Sequence, residues 1–308
     1  MLKNIFTLLT LLIAAFAQAQ TDSPFITTSD SVKLFVKRAG KGMPVLFIHG
    51  GPGSNSDYFE YTGGNVFEKD VQMIYLDQHG CGKSDNDPKK DYSLKRVVKD
   101  FEEVRQALGI NRWVLMPLSF GGILATEYAY QHPSVVKAMT YLNCTIDISH
   151  SAKSGISKTI ELLPSLKQNE VAYLLNDSVK LMDRFFNSFW HLDQAGIRYK
   201  LFFDKKENDS LHSAITVNAA KHWDMGQNVW NFPEYFVSFS AKTASIAVPV
   251  LIIGGTRDFT IGVDHPKLMQ FRTKEVKYIA GGHALYMEHN AELYDAVVPF
   301  LSNHVSKS

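Results

Sequence analysis

Ser119 is the residue around which the sequence can be organised as chemistry. It lies in Leu118-Ser119-Phe120-Gly121-Gly122, after an apolar run and before a helix-forming stretch, with glycines two and three positions on. That spacing suits a tight strand-to-helix turn in which the hydroxyl stands at a helix N-terminus, where backbone N–H groups favour negative charge. An ordinary Ser-Gly-Gly turn shares the spacing, and Pro117 stands where such a turn usually carries a glycine. A hydroxyl is a weak nucleophile until a base takes its proton and a carboxylate orients the base. Two later segments supply both. Residues 249–253 lead into Gly254-Gly255-Thr256-Arg257-Asp258, and residues 276–279 lead into Ala280-Gly281-Gly282-His283. Serine, acid, histidine is one of the chain orders in which these triads occur. Ser119, Asp258 and His283 are therefore the candidate catalytic residues, with Asp264 the rival acid. His132, His265 and His289 follow no strand and read as scaffold histidines.

Attack on a carbonyl also requires donors for the developing oxyanion, free of side-chain obstruction. His49-Gly50-Gly51-Pro52-Gly53 follows the apolar run 44–48 and offers them. The backbone N–H groups of Gly51 and Phe120 are the candidate oxyanion hole, and His49 reads as a brace for the loop. A phosphate cradle is the weaker reading, because no Gly-Lys-Ser/Thr or G-x-G-x-x-G follows a strand. With no His-Glu-x-x-His or comparable ligand spacing, neither a metal nor a cofactor is expected.

Residues so far apart can meet only if several strands end at one edge. Strand-like runs at 32–37, 44–48, 71–76, 113–118, 135–143, 250–253 and 276–279 alternate with helical spacing at 101–108, 120–130 and 291–301. This alternation predicts an α/β fold, a mostly parallel central sheet flanked by helices, with 32–37 an edge strand. Between 145 and 240 the alternation stops and the pattern turns helical. The expected organisation is a core of 20–144 and 241–308 carrying an inserted helical lid, 145–240. Phe185, Phe186, Phe189, Trp190, Trp223 and Trp230 lie in that insertion. Most would pack its own small core, and a few would line an apolar substrate pocket.

The chain has 308 residues, 45% hydrophobic and 20% charged, which excludes collagenous and wholly disordered classes. Its 32 basic and 31 acidic residues leave no electrostatic footprint for nucleic acid. Residues 1–19 combine Lys3, an apolar run over 5–16 and Ala17-Gln18-Ala19, the pattern of a cleaved secretory signal peptide. Export to a periplasm or to the medium is the expectation. The run is too short to span a bilayer comfortably, and no later run reaches spanning length.

His49-Gly50-Gly51-Pro52-Gly53 together with Asp77-Gln78-His79-Gly80-Cys81-Gly82-Lys83-Ser84 resembles the prolyl aminopeptidase (proline iminopeptidase) branch of the α/β-hydrolase superfamily. That branch carries H-G-G-P-G and D-Q-R-G-x-G-x-S, so His79 replaces an arginine. The resemblance covers roughly 30–145 and 245–300. It implies release of an N-terminal residue, often proline, from small peptides through an acyl-enzyme on Ser119, with His283 as base then acid, Asp258 orienting it, and no cofactor. Such peptidases hold the substrate ammonium with acidic groups, mainly lid glutamates. Glu161, Glu170, Glu207 and Glu234 are the candidates here, with Trp190 a further substrate-binding candidate, and each of the four also reads as a solvated surface group. In the superfamily's strand order, the strands ending near Cys81 and Cys144 lie three places apart, about 14 Å. A disulfide tolerates roughly 7 Å between Cα atoms, so two free thiols are expected, with Cys81 open to thiol reagents near the site. Two other readings remain: a carboxylic-ester or carbon–carbon hydrolase with the same triad and another small acyl substrate, and a non-catalytic ligand-binding protein on this scaffold. The oligomeric state is not legible in the sequence.

Overall fold

Strands rich in branched apolar residues, connected through helices, must stack in parallel and be covered on both faces. The computed structural model describes residues 23–305 and shows this arrangement. The expected signal peptide, residues 1–19, lies outside the described residues. The eight strands are β1 (Phe25–Thr27), β2 (Lys33–Gly40), β3 (Pro44–Ile48), β4 (Gln72–Leu76), β5 (Trp113–Pro117), β6 (Val136–Leu142), β7 (Val250–Gly255) and β8 (Lys274–Ile279). They form one sheet in the order β1-β2-β4-β3-β5-β6-β7-β8. β1 and β2 pair antiparallel to their neighbours, and all other pairings are parallel.

Burial follows position. Every residue of β5 and β7 is buried, whereas β8, at one edge, exposes all but its last residue and carries Lys274, Glu275 and Lys277. Charge on an edge strand discourages pairing with another chain. The run 32–37 proves not to be the other edge, because the three-residue β1 lies outside β2. A strand that short leaves too little alternation to be read from sequence.

The helix α1 (Leu94–Ala107) starts where Ser93 accepts a hydrogen bond from the Arg96 N–H, and lays Val97, Val98, Phe101 and Val104 into the core. It begins a full turn and more before 101, because Lys95, Arg96 and Lys99 dilute the apolar signal. The helix α2 (Gly121–Gln131) follows Ser119 directly. The last helix, α3 (Asn290–Val305), closes the opposite face with Leu293, Val297 and Phe300.

Between β6 and β7 the described residues contain helices and no strand, from Ile148–Leu162 through Ser240–Thr243. This segment has a small core of its own, Leu163, Leu192 and Leu201 with Phe189 and Ile197 against it. Because β3, β4, β5, β7 and β8 all run the same way, the turns after them gather at one edge, beneath these helices.

Candidate active site

Ser119 sits two residues beyond β5 with a backbone φ of +56°. A residue other than glycine avoids this left-handed region unless its surroundings hold it there. Here the Ser119 N–H donates to the Leu142 carbonyl at 3.2 Å, and the Ser119 carbonyl accepts from the N–H groups of Gly122 and Thr145, both at 3.0 Å. Neighbouring residues are small because there is no room. A Cβ on Gly50 would lie 2.6 Å from the Ser119 Cβ, and one on Gly122 would lie 2.5 Å from the Thr145 carbonyl oxygen. Pro117 ends β5, and the next residue, Leu118, already donates to the Ile48 carbonyl at 3.0 Å. The proline thus removes one donor at the strand's last position without interrupting the turn.

Asp258 and His283 follow β7 and β8 and meet at the same edge. His283 Nδ1 lies 2.9 Å from Asp258 Oδ2, and Asp258 Oδ1 accepts from the Ile261 N–H at 3.1 Å. The carboxylate is 3% exposed, so its alignment is not lost to water. Asp264, the rival acid, pairs instead with His150 at 3.0 Å on the surface. His265 is buried and accepts from the Ile146 N–H, and His289 lies near Asp204 and Glu292, so both are scaffold groups. His132 caps the end of α2.

Sequence reasoning missed Asn143. It takes φ +45° just after β6. Its side-chain amide donates to the carbonyls of Gly282 (3.0 Å) and His283 (2.8 Å), while its Oδ1 accepts from the Gly255 N–H at 2.7 Å. One side chain therefore ties the loop bearing the histidine to the strand that leads to the acid. A polar residue ending a buried strand was the available signal. From the insertion, the Phe202 carbonyl accepts the N–H groups of His283 and Ala284 at 3.0 and 3.1 Å.

The loop after β3 is fixed from below. Gln78 donates its backbone N–H to His49 Nε2 (3.0 Å) and its side-chain amide to the His49 carbonyl (2.8 Å). His49 Nδ1 lies 2.9 Å from the Gly50 carbonyl, and burial holds the imidazole below its ordinary pKa. His49 is thus a buried brace. The Gly50 N–H donates to the Tyr58 hydroxyl at 3.1 Å. Among the described residues no acceptor is bonded to the backbone N–H of Gly51 or Phe120.

Ser119, His283, Gly51 and Phe120 all line one cavity of about 380 Å³. Its other walls are largely apolar, and the helical segment contributes Met182, Phe185, Phe186, Phe189, Trp223 and Trp230. His212 also faces it, its ring tilted against that of Tyr58 with centroids 4.9 Å apart, and burial, reinforced by the nearby charges of His283 and Arg198, pulls its pKa down to about 4. Its imidazole is neutral at pH 7. Among the described residues no Asp or Glu lines this cavity.

The expected substrate-binding residues lie elsewhere. Glu161 pairs with Lys158, Glu170 caps the Lys167 N–H at the start of a helix, Glu234 accepts from the Leu94 N–H, and Glu207 is exposed in the first turn of Lys206–Ala219. None of the four lines the cavity. Trp190 is 54% exposed and outside the cavity. Cys81 and Cys144 are both free and both buried, and burial pushes both thiols well above their ordinary pKa. Cys81, with its sulfur 3.6 Å from that of Met225, is therefore not the exposed thiol expected from its loop position.

A sequence profile for the alpha/beta hydrolase fold matches residues 43–290. The chain belongs to the α/β-hydrolase family. Within it, this hydrolase is similar to proteins named proline iminopeptidase: 25% identical over 293 residues to that of Lactobacillus helveticus, covering 91% of this chain and 97% of the relative. It is 35% identical over 121 residues to that of Neisseria gonorrhoeae, where the match spans only 38% of either chain. Solved structures agree on the fold. An esterase from Exiguobacterium antarcticum superposes with a TM-score of 0.68 at 20% identity, over 91% of this hydrolase and 99% of the esterase. A proline iminopeptidase from Mycobacterium smegmatis does so with a TM-score of 0.66, also at 20% identity, over 91% and 97%.

Proposed function

We propose that this α/β hydrolase is an exported serine hydrolase acting on small acyl substrates. The observation that carries the reading is the 2.9 Å contact of His283 with buried Asp258, with the imidazole and the Ser119 hydroxyl lining one cavity. In this reading His283 takes the Ser119 proton as Oγ attacks the substrate carbonyl carbon. Asp258 keeps the imidazole oriented and stabilises its cation. The Gly51 and Phe120 N–H groups receive the oxyanion, and a removed oxyanion donor typically costs about 10²–10³ in rate. Collapse expels the alcohol or amine, which takes the proton from His283. Water, deprotonated by the same imidazole, then releases the acid and restores Ser119. Export rests on the Lys3, apolar-run and Ala17-Gln18-Ala19 pattern.

The relatives' name supports an N-terminal proline residue, or another small residue, as the acyl half. A second reading, hydrolysis of an uncharged ester, is favoured by the cavity lining. Taking a free ammonium out of water costs several kcal/mol without a charged partner. Aromatic faces return about 2 kcal/mol in a desolvated site. A panel of chromogenic prolyl, alanyl and N-blocked prolyl amides beside short acyl esters separates the two. Cleavage of free but not blocked prolyl amide supports the aminopeptidase, and cleavage of esters alone supports the second reading. Either activity must disappear in Ser119→Ala. Its persistence there would remove the mechanism.

A further inference from the structure

His79, the residue that stands in place of an arginine, occupies an environment the hydrolase reading does not use. It is fully buried, and its Nδ1 lies 3.0 Å from Asp100 Oδ2. Its other ring nitrogen, Nε2, is buried without a hydrogen-bond partner. A buried nitrogen left unpaired is a rarity that calls for a partner. Two further carboxylates lie close to the ring. Asp87 Oδ2 lies 3.9 Å away, and single ligand atoms from Asp30, His79 and Asp87 all fall within 4.8 Å of one another.

A proton alone does not explain this spacing, since an N–H···O bond needs about 3 Å. Two ligands sharing one ion bonded at 2.0–2.2 Å, by contrast, stand about 3–4 Å apart. The Asp100 contact is the outer partner that ligating histidines usually have: a carboxylate that takes one ring N–H and leaves the other nitrogen's lone pair for the ion. Charge points the same way. The carboxyl groups of Asp30, Asp87 and Asp100 gather around one imidazole, with the Arg96 guanidinium on their far side, its Nε 3.0 Å from Asp100 Oδ1 and 3.4 Å from Asp30 Oδ2. Asp87 Oδ2 also accepts from the Asp91 N–H at 3.0 Å, and Asp30 is hydrogen-bonded by Thr28 Oγ1. Each carboxylate oxygen has a second lone pair for an ion.

We propose that His79 Nε2, Asp87 and Asp30 form a structural site for a first-row divalent cation such as Zn²⁺ or Mn²⁺. One imidazole and two carboxylates are a donor set for these ions rather than for calcium, which takes oxygen ligands. Exposed Asp30 leaves the remaining positions to water. The ion ties the β1–β2 turn, through Asp30, to the loop after β4. In that loop the neighbouring Gln78 holds His49 beneath the candidate oxyanion donors. The three ligands fall in no contiguous motif, which is why spacing along the chain gave no sign of them.

The test uses the full-length mature protein, stripped with chelator and titrated separately with ZnCl₂, MnCl₂ and CaCl₂ by calorimetry and thermal unfolding. The expected result is saturation by Zn²⁺ or Mn²⁺ at one ion per chain, with a raised midpoint and at least tenfold weaker binding of Ca²⁺. Asp87→Asn and Asp30→Asn should each weaken binding at least tenfold. Asp100→Asn should weaken it about 10–100-fold. His79→Arg, which restores the arginine of the resembling proteins, should abolish it while the protein still unfolds cooperatively. The proposal is overturned if the wild-type protein shows no saturable uptake, as a water-bridged imidazolium would give. It is equally overturned if uptake survives unchanged in His79→Arg or in both aspartate variants.

Discussion

Asn143 holds the His283 carbonyl at 2.8 Å with its side-chain amide and receives the Gly255 N–H at 2.7 Å on its carbonyl oxygen. Asn143→Ala should therefore act on the proposed Ser119–Asp258–His283 constellation from outside it. An unmet buried hydrogen bond costs about 1–3 kcal/mol of stability. A displacement of the imidazole approaching 1 Å costs about 10²-fold in rate. The expected outcome is a fall in kcat of that order with KM little changed, and the same fall in Asn143→Asp, which keeps the acceptor and loses both donors. Steady-state kinetics beside a thermal melt check it. A change confined to stability would assign Asn143 to the fold alone.

Gly50→Ala tests how closely the loop after β3 packs on the nucleophile. The added methyl would sit 2.6 Å from the Ser119 Cβ, nearer than carbon atoms approach, so either the loop or the serine must shift. We expect the protein to fold and to lose about 10²-fold or more in kcat/KM. Labelling of Ser119 by an organophosphonate should slow in parallel. Wild-type activity in this variant would show that the loop gives way freely.

Stability should fall in mild acid through His265. Burial, helped by the nearby charge of His150, holds its pKa at about 4. The unfolded value is about 6.5. Between these values the unfolded chain binds a proton that the folded protein refuses, so stability is lost as pH falls from about 6.5 towards 4. Protonation also takes the lone pair that accepts from the Ile146 N–H. Urea unfolding at pH 7 and pH 4.5 should show the wild-type losing about 2–3 kcal/mol more than His265→Gln. Equal losses in the two proteins would exclude His265 as the source.

Both thiols should be silent in the native state. Cys81 and Cys144 are buried and their thiolates disfavoured. Intact mass after treatment with iodoacetamide should show no adduct on the folded protein and two after denaturation, with or without reductant. One or two adducts on the folded protein would contradict the burial, and a mass fitting a disulfide would contradict the free state.

The strand-to-helix turn at Ser119 was legible because it is local: an apolar strand, a serine and two glycines adjoin in sequence. The meeting of Asp258 with His283 was legible because each lies in the turn after a strand, and such turns in a parallel sheet share an edge. What escaped reading depends on contacts across the fold. Whether Glu161 or Glu234 turns inward is decided by Lys158 and by the Leu94 N–H, and nothing in the local pattern announces either partner. Trp190 and Phe189 are adjacent and equally apolar, yet helix rotation sends one to solvent and the other to the cavity. Asn143 is a lone polar residue whose three partners lie more than a hundred positions away. β1 is simply too short to announce itself.

The two N–H groups of His283 and Ala284 both end on the Phe202 carbonyl, in the segment that walls the cavity. Specificity and chemistry are for this reason not separable parts. A chimera that replaced 145–240 wholesale with the corresponding stretch of a relative would inherit a new set of walls and at the same time reposition the carbonyl peg on which the His283 loop hangs. New substrate preferences are accordingly to be sought through point changes at Met182, Phe185, Phe186 and Trp230, which shape the chamber and leave that carbonyl in place.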